Sequence, residues 1–60
     1  MKQEYYTENK RRVTEYVESN RTLFFTNLNE AIKKGVSLNT YHYEMFNEKM
    51  DFIGYGVPRN

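Results

Sequence analysis

The side chains that could perform chemistry in this chain are few and are not grouped in any catalytic pattern. Ser19 and Ser37 both stand where a helix is predicted to start, so capping of free backbone N–H groups explains them. His42 has no neighbouring general base, and a lone histidine lacks the convergent groups that catalysis needs. Glu44 and Glu48 fall on a predicted exposed arc, where a carboxyl of ordinary acidity is a poor acid catalyst. We therefore predict that the protein is not an enzyme.

The composition also argues against a cofactor. The chain has no cysteine and one histidine, so neither a disulfide, a thiolate site nor a zinc cage can form. No glycine-rich phosphate loop is present. We expect no metal, no other cofactor and no small-molecule substrate, which leaves binding to another macromolecule as the mode of action.

Length and composition predict one small cytoplasmic domain covering residues 1–60. A chain of this size buries only about 60% of its unfolded surface, so its stability is marginal. Six tyrosines and four phenylalanines indicate that aromatic packing or self-association supplies the rest. The longest apolar run, Leu23-Phe24-Phe25, is far short of the ~20 residues that cross a bilayer, and no export signal follows Met1. The absence of cysteine fits a reducing cytosol.

The spacing of apolar residues predicts an all-α fold, a small three-helix domain with a short extended tail. Apolar side chains recur with the helical period of 3.6 residues in three segments. These segments are residues 3–18, 22–34 and 38–53. We expect Gly35 to end the second helix as a left-handed cap and Gly54 to end the third. After Gly54, residues 55–60 should be extended.

The third predicted helix is apolar over an unusually wide arc. One stripe holds Tyr43, Phe46, Met50 and Ile53, and a second holds Leu38, Tyr41, Met45 and Phe52. Such a helix needs two surfaces to pack on, which are either the first two helices or one helix and a protein partner or second copy. Methionine and aromatic side chains occur both in cores and on adaptable binding surfaces. The candidate protein-binding residues, each of which could instead be core, are Tyr41, Tyr43, Met45, Met50, Phe52 and Tyr55.

Residues 11–49 carry a second pattern, in which Gly35-Val36-Ser37 precedes Asn39-Thr40. This segment resembles helix-turn-helix DNA-binding domains of the homeodomain-like or tetracycline-repressor-like kind, where glycine takes the left-handed turn position and serine caps the recognition helix. The resemblance implies a compact DNA-binding protein, such as a small repressor or excision factor of a mobile element. The residues that would then face phosphates or base edges are Arg11, Arg12, Lys33, Lys34, Ser37, Asn39, Thr40, His42 and Tyr43.

The charge pattern favours a protein partner over DNA. Nine basic and eight acidic side chains leave a net charge of +1. Glu44, Glu48 and Asp51 lie on the outer arc of the third predicted helix, whereas affinity for DNA comes mostly from neutralised phosphates. Our preferred hypothesis is a small regulatory or inhibitory protein that binds a protein partner, or a second copy of itself, through an aromatic and Met-rich surface. Helix-turn-helix DNA binding is the alternative, and no membrane association is expected.

Overall fold

A four-stranded antiparallel sheet forms the centre of the structure, which is a computed structural model that describes residues 3–59. Its elements are β1 (Tyr6–Thr7), α1 (Thr14–Glu18), β2 (Thr22–Phe25), α2 (Leu28–Ser37), β3 (Tyr43–Phe46) and β4 (Phe52–Pro58). The strand order in the sheet is β1-β3-β4-β2. The fold is therefore mixed α/β, and the prediction of an all-α three-helix domain is wrong. No helix within residues 3–59 has the length and apolar character needed to cross a membrane.

Residues 38–53, predicted as the third helix, contain β3, a tight turn and the first residues of β4. The turn is fixed by Asn47, whose side-chain oxygen accepts hydrogen bonds from the backbone N–H groups of Lys49 at 2.9 Å and Asp51 at 3.0 Å. Its backbone oxygen accepts from Met50, which takes a φ of 64°. This is a hairpin turn that ends in a left-handed residue. Residues 38–53 have apolar side chains on both faces because both faces of the sheet are partly covered. In the sequence, this pattern also fits a helical period.

The predicted second helix, 22–34, is a strand followed by a helix. Residues 22–25 are a β-branched threonine, a leucine and two phenylalanines, which favour a strand. Asn27 then caps α2, because its side-chain oxygen accepts the backbone N–H of Glu30 at 3.2 Å. Gly35 does not end this helix. It lies inside α2, and Asn39, with a φ of 55°, takes the left-handed position, while the Thr40 N–H donates to the Gly35 carbonyl at 2.8 Å.

Only the last third of the predicted first helix, 3–18, is helical. Residues 5–13 form a hairpin in which Tyr6 pairs with Arg12, and its turn places Lys10 at a φ of 64°. Thr14 anchors this hairpin to α1: its buried hydroxyl accepts the Tyr5 N–H at 2.9 Å and donates to the Glu4 carboxylate at 2.8 Å. These long-range bonds hold the segment in a conformation that local periodicity does not reveal.

Each helix crosses one face of the sheet. Residues opposed in an antiparallel register share a face, so Tyr43, Phe24 and Gly56 lie on one side. We call this the α1 face, because α1 packs on β2 and the residues of α1 and its cap lie beside Tyr43. The opposite α2 face carries Val57, which is fully buried where α2 packs on β4 and β2.

Two glycines of β4 allow large side chains to lie across the strand on the α1 face. A Cβ atom at Gly54 would lie 2.6 Å from the Phe25 carbonyl oxygen and 2.7 Å from the Phe24 ring. A Cβ atom at Gly56 would lie 2.6 Å from the sulfur of Met45, which is fully buried. The residues after Gly54, predicted to be an extended tail, are therefore extended, but they form a central strand of the sheet; Asn60 lies outside the described residues.

Candidate functional site

Four rings form a continuous group on the α2 face: His42, Phe46, Phe52 and Tyr55. The ring centroids of Phe46 and Phe52 are 6.1 Å apart, those of Phe52 and Tyr55 are 5.2 Å apart, and those of His42 and Tyr55 are 6.3 Å apart. All three contacts are edge-on, which is a geometry that aromatic pairs prefer. We call this group the aromatic surface, and its member Phe52 is 50% exposed.

A β-bulge brings Phe52 onto the same face as Tyr55. In a regular strand, residues three apart point to opposite faces. Here Met45 is opposite Gly54 whereas Phe46 is opposite Phe52, so Ile53 is an extra residue without a partner. The extra residue reverses the alternation at the start of β4. The bulge therefore places Phe52 on the same face as Tyr55, although their spacing of three residues would put them on opposite faces of a regular strand.

The aromatic surface is open because α2 covers another part of this face. The helix packs on β4 and β2 through small residues, and both Ala31 and Gly35 are buried. His42 and Phe46 lie on or beside β3, which is on the other side of β4 from β2, and both His42 and Phe52 are exposed. The neighbouring turn carries Glu48 and Asp51, neither of which has an ion-pair partner among residues 3–59. The result is an apolar area with acidic residues at one side.

A cleft of about 410 Å³ opens on the α1 face near the start of β3. Tyr41 and Tyr43 line it with ring centroids 6.1 Å apart, and Tyr41 is 64% exposed. Tyr16 also lines the cleft, and the Arg21 guanidinium lies over its ring, 5.4 Å from the ring centroid. We call this space the tyrosine cleft. Its acidic and basic lining residues are Glu8, Arg11 and Glu44.

Burial changes the acidity of one cleft residue. Burial raises the pKa of the Tyr43 hydroxyl above its ordinary value, an effect that exceeds the opposing effect of a hydrogen bond with Thr22. The nearby Tyr41 adds to the increase. The neutral form of Tyr43 is therefore favoured, as a hydrogen-bonding hydroxyl in the lining of the cleft.

The raised pKa of Tyr43 predicts a loss of stability in alkali. A folded state that holds the proton more tightly than the unfolded state is favoured at lower pH, so its advantage declines as pH rises above about 10. Tyr43→Phe should make the free energy of unfolding decline less as pH rises above about 10. Urea unfolding at a series of pH values measures this. An equally steep decline in the variant would show that the Tyr43 hydroxyl is not the cause.

The six candidate protein-binding residues separate into four environments. Phe52 and Tyr55 belong to the aromatic surface, and Tyr41 and Tyr43 belong to the tyrosine cleft. Met45 is fully buried in the core, and Met50 is half-buried in the turn before β4. Sequence reasoning omitted Phe46 from the set, although the period-2 spacing of residues 42, 44 and 46 could have indicated a shared strand face.

The candidate DNA-binding residues lie on separate elements. Arg12 is paired with Glu4 at 2.8 Å, and Arg11 lines the tyrosine cleft. Lys33 and Lys34 are exposed on α2, across the sheet from that cleft. Ser37 is the last residue of α2 and caps no following helix, Asn39 and Thr40 belong to the end of α2, and His42 and Tyr43 lie on opposite faces of β3. Residues 38–53, where the resemblance implies a recognition helix, are not helical.

Comparison with known proteins found no match for this chain. No family model, curated protein or solved structure matches the chain. Among residues 3–59, no three His, Cys, Asp or Glu side chains are grouped so that they could hold a metal ion. The geometry of the aromatic surface and of the tyrosine cleft is therefore the basis for assigning a function.

Proposed function

We propose that this chain is a small, non-catalytic regulatory or inhibitory protein that binds another protein through the aromatic surface. The observation that carries the proposal is the group of four rings in edge contact on the part of the α2 face that α2 leaves open, with the Phe52 ring half-exposed. Binding energy at protein interfaces concentrates in a few large, rigid side chains that fill a pocket of the partner. Phe52, supported on both sides by Phe46 and Tyr55, has the properties of such an anchor.

The surroundings of Phe52 indicate the chemistry of the partner. The adjoining turn carries the carboxylates of Glu48 and Asp51 against the single ammonium group of Lys49. An apolar centre with a charged border is the usual anatomy of a specific interface. A complementary partner would offer an apolar pocket for the Phe52 ring beside basic side chains, which would also speed association at low salt. The absence of cysteine supports a cytoplasmic setting for this encounter.

The proposal is tested by quantitative capture of the partner on the immobilised protein, comparing Phe52→Ser with Val36→Ser. Val36 is a matched control, because it is an apolar residue, 76% exposed, that lies on α2 and outside the aromatic surface. Loss of a central anchor costs on the order of 2 kcal/mol, so Phe52→Ser should weaken partner binding about 30-fold. Val36→Ser should bind as tightly as the wild type. Equal binding by both variants would contradict the proposal.

Duplex DNA of mixed sequence tests the alternative function in the same preparation. Binding driven by phosphate contacts weakens steeply between about 50 and 200 mM salt. We expect no change in the fluorescence anisotropy of labelled duplex at either concentration. Salt-sensitive binding that is reduced by Lys33→Ala and Lys34→Ala together would instead favour a DNA-binding role and oppose the protein-binding proposal.

A further inference from the structure

One carboxylate lies among the rings of the aromatic surface. Glu44 is directly opposite Tyr55 in the pairing of β3 with β4, so both side chains are on the α2 face. Residues two apart along a strand point to the same face, which places His42 and Phe46 on either side of Glu44. Glu44 also borders the tyrosine cleft, but its side chain is directed to the α2 face. The carboxylate therefore has a ring-bearing neighbour on three sides.

The fourth side of Glu44 is open. The register of β1 with β3 covers Phe46 and Met45 alone, so no strand within residues 3–59 lies beside Glu44 at the outer edge of the sheet. Glu44 is exposed, and its carboxylate forms no ion pair or hydrogen bond in this part of the chain. A charged group can therefore reach the carboxylate from solvent and contact the neighbouring rings at the same time.

The charges around Glu44 favour a cation. The adjoining turn adds the carboxylates of Glu48 and Asp51 and the ammonium group of Lys49. Residues 42–55 thus carry three carboxylates against one ammonium group, a net charge of −2 with the histidine neutral. The two lysines of α2, at positions 33 and 34, form no ion pair with Glu44. The aromatic surface is therefore complementary to a basic side chain and repels an acidic one.

A guanidinium group fits this setting better than an ammonium group. It is planar, it stacks on aromatic rings, and it can donate to both oxygens of a carboxylate at once. An ammonium group is a compact and strongly hydrated charge, so it loses more when water leaves a partly apolar surface. Aromatic rings also attract cations through the negative charge of their faces.

We propose that Glu44 binds an arginine side chain of the protein partner, with the guanidinium on the carboxylate and against the Tyr55 ring. This inference rests on the proposed function, because it assigns the chemistry of the partner at the aromatic surface. Phe52 would then supply the apolar anchor, and Glu44 would supply selectivity by rejecting a partner with an acidic side chain at this point.

The test uses three peptides with blocked ends that differ at one central residue, which is arginine, lysine or citrulline. Citrulline has nearly the shape of arginine but no charge. Each peptide is titrated into the isotope-labelled full chain at about 20 mM salt, where surface charges are weakly screened. Backbone amide NMR reports affinity and location, and we expect the arginine peptide to shift the amides of His42, Glu44 and Tyr55. The citrulline peptide should bind about tenfold more weakly, because a charge-assisted hydrogen bond is lost, and the lysine peptide should also bind more weakly than the arginine peptide.

Two variants locate the site. Glu44→Gln should weaken binding of the arginine peptide about tenfold, because it removes the charge and keeps the shape of the side chain. Glu15→Gln removes an exposed carboxylate of α1, across the sheet, and should leave peptide binding unchanged.

The proposal is overturned if the arginine peptide does not bind, if the lysine or citrulline peptide binds as tightly, or if Glu44→Gln has no effect. These titrations contain no partner protein. Their outcome is therefore separate from partner capture by Phe52→Ser, which decides the proposed function.

Discussion

Replacing Gly54 by alanine is expected to destabilise the protein by about 3 kcal/mol, the cost of forcing a methyl group into a filled space. The added Cβ atom would lie 2.6 Å from the Phe25 carbonyl oxygen, a backbone atom that cannot move without disturbing the pairing of β2 with β4. The Phe24 ring, 2.7 Å away, would also have to leave its contact with Tyr5, whose ring centroid is 5.6 Å from its own. For a domain of this size, the melting temperature should fall by roughly 10 to 20 °C.

Gly35→Ala is the matched control for this experiment. Gly35 lies inside α2, and a Cβ atom there would have its nearest neighbour at 3.5 Å, an ordinary contact distance. Alanine in a helix interior is favoured over glycine by about 0.5 to 1 kcal/mol, so this variant should be slightly more stable than the wild type. Thermal unfolding followed by circular dichroism measures both. Equal stability of the two variants would mean that the space above Gly54 is not filled as the structure indicates.

Truncation of Met45 to alanine is expected to cost about 3 kcal/mol, because Met45 is fully buried and its removal leaves a cavity. Its sulfur lies against Gly56, at the point where side chains of β3 cross β4. A domain of sixty residues has a total stability on the order of 3 to 9 kcal/mol, so this variant would be close to unfolding at 37 °C. Urea unfolding monitored by tyrosine fluorescence gives the change in free energy.

Met50→Ala provides the comparison, since it deletes the same atoms from a half-buried position in the turn before β4. Its expected cost is below about 1 kcal/mol, as for surface substitutions in general. If Met50→Ala destabilised the protein as much as Met45→Ala, Met45 would not differ from Met50 as a core residue, which would contradict the structure. Comparison of the two variants also tests whether Met45 is a core residue, as the structure places it, instead of the protein-binding residue that the sequence predicted.

The errors in the predicted fold have a common origin in short elements. Apolar residues in the segment from Tyr43 to Phe52 satisfy a helical period as well as a strand period, because a strand of four residues is too short to distinguish the two. The sequence also contains the turn residue Asn47 and, around Glu44, the alternation that is typical of a strand. A single helix over the whole segment was predicted in spite of these two features.

Several local features could be read directly from the sequence. The break after residue 18 is present, where Asn20 takes a φ of 60° and the Arg21 N–H donates to the Tyr16 carbonyl at 2.8 Å. The helix over residues 28–34 is also present, because Ala31 and its neighbours follow a helical stripe behind an asparagine cap. These features depend on interactions within a few residues of the chain.

The sequence by itself therefore indicated the break after residue 18, the helical stripe over residues 28–34, the lack of cysteine chemistry and the abundance of aromatic side chains. Only the tertiary structure decided which aromatic residues are core and which are exposed. Met45 is buried because it lies over Gly56, Phe52 shares a face with Tyr55 because Ile53 bulges, and the tyrosine cleft exists because β1 ends early. Each of these outcomes depends on pairing between residues distant in the chain, whose register no local pattern specifies.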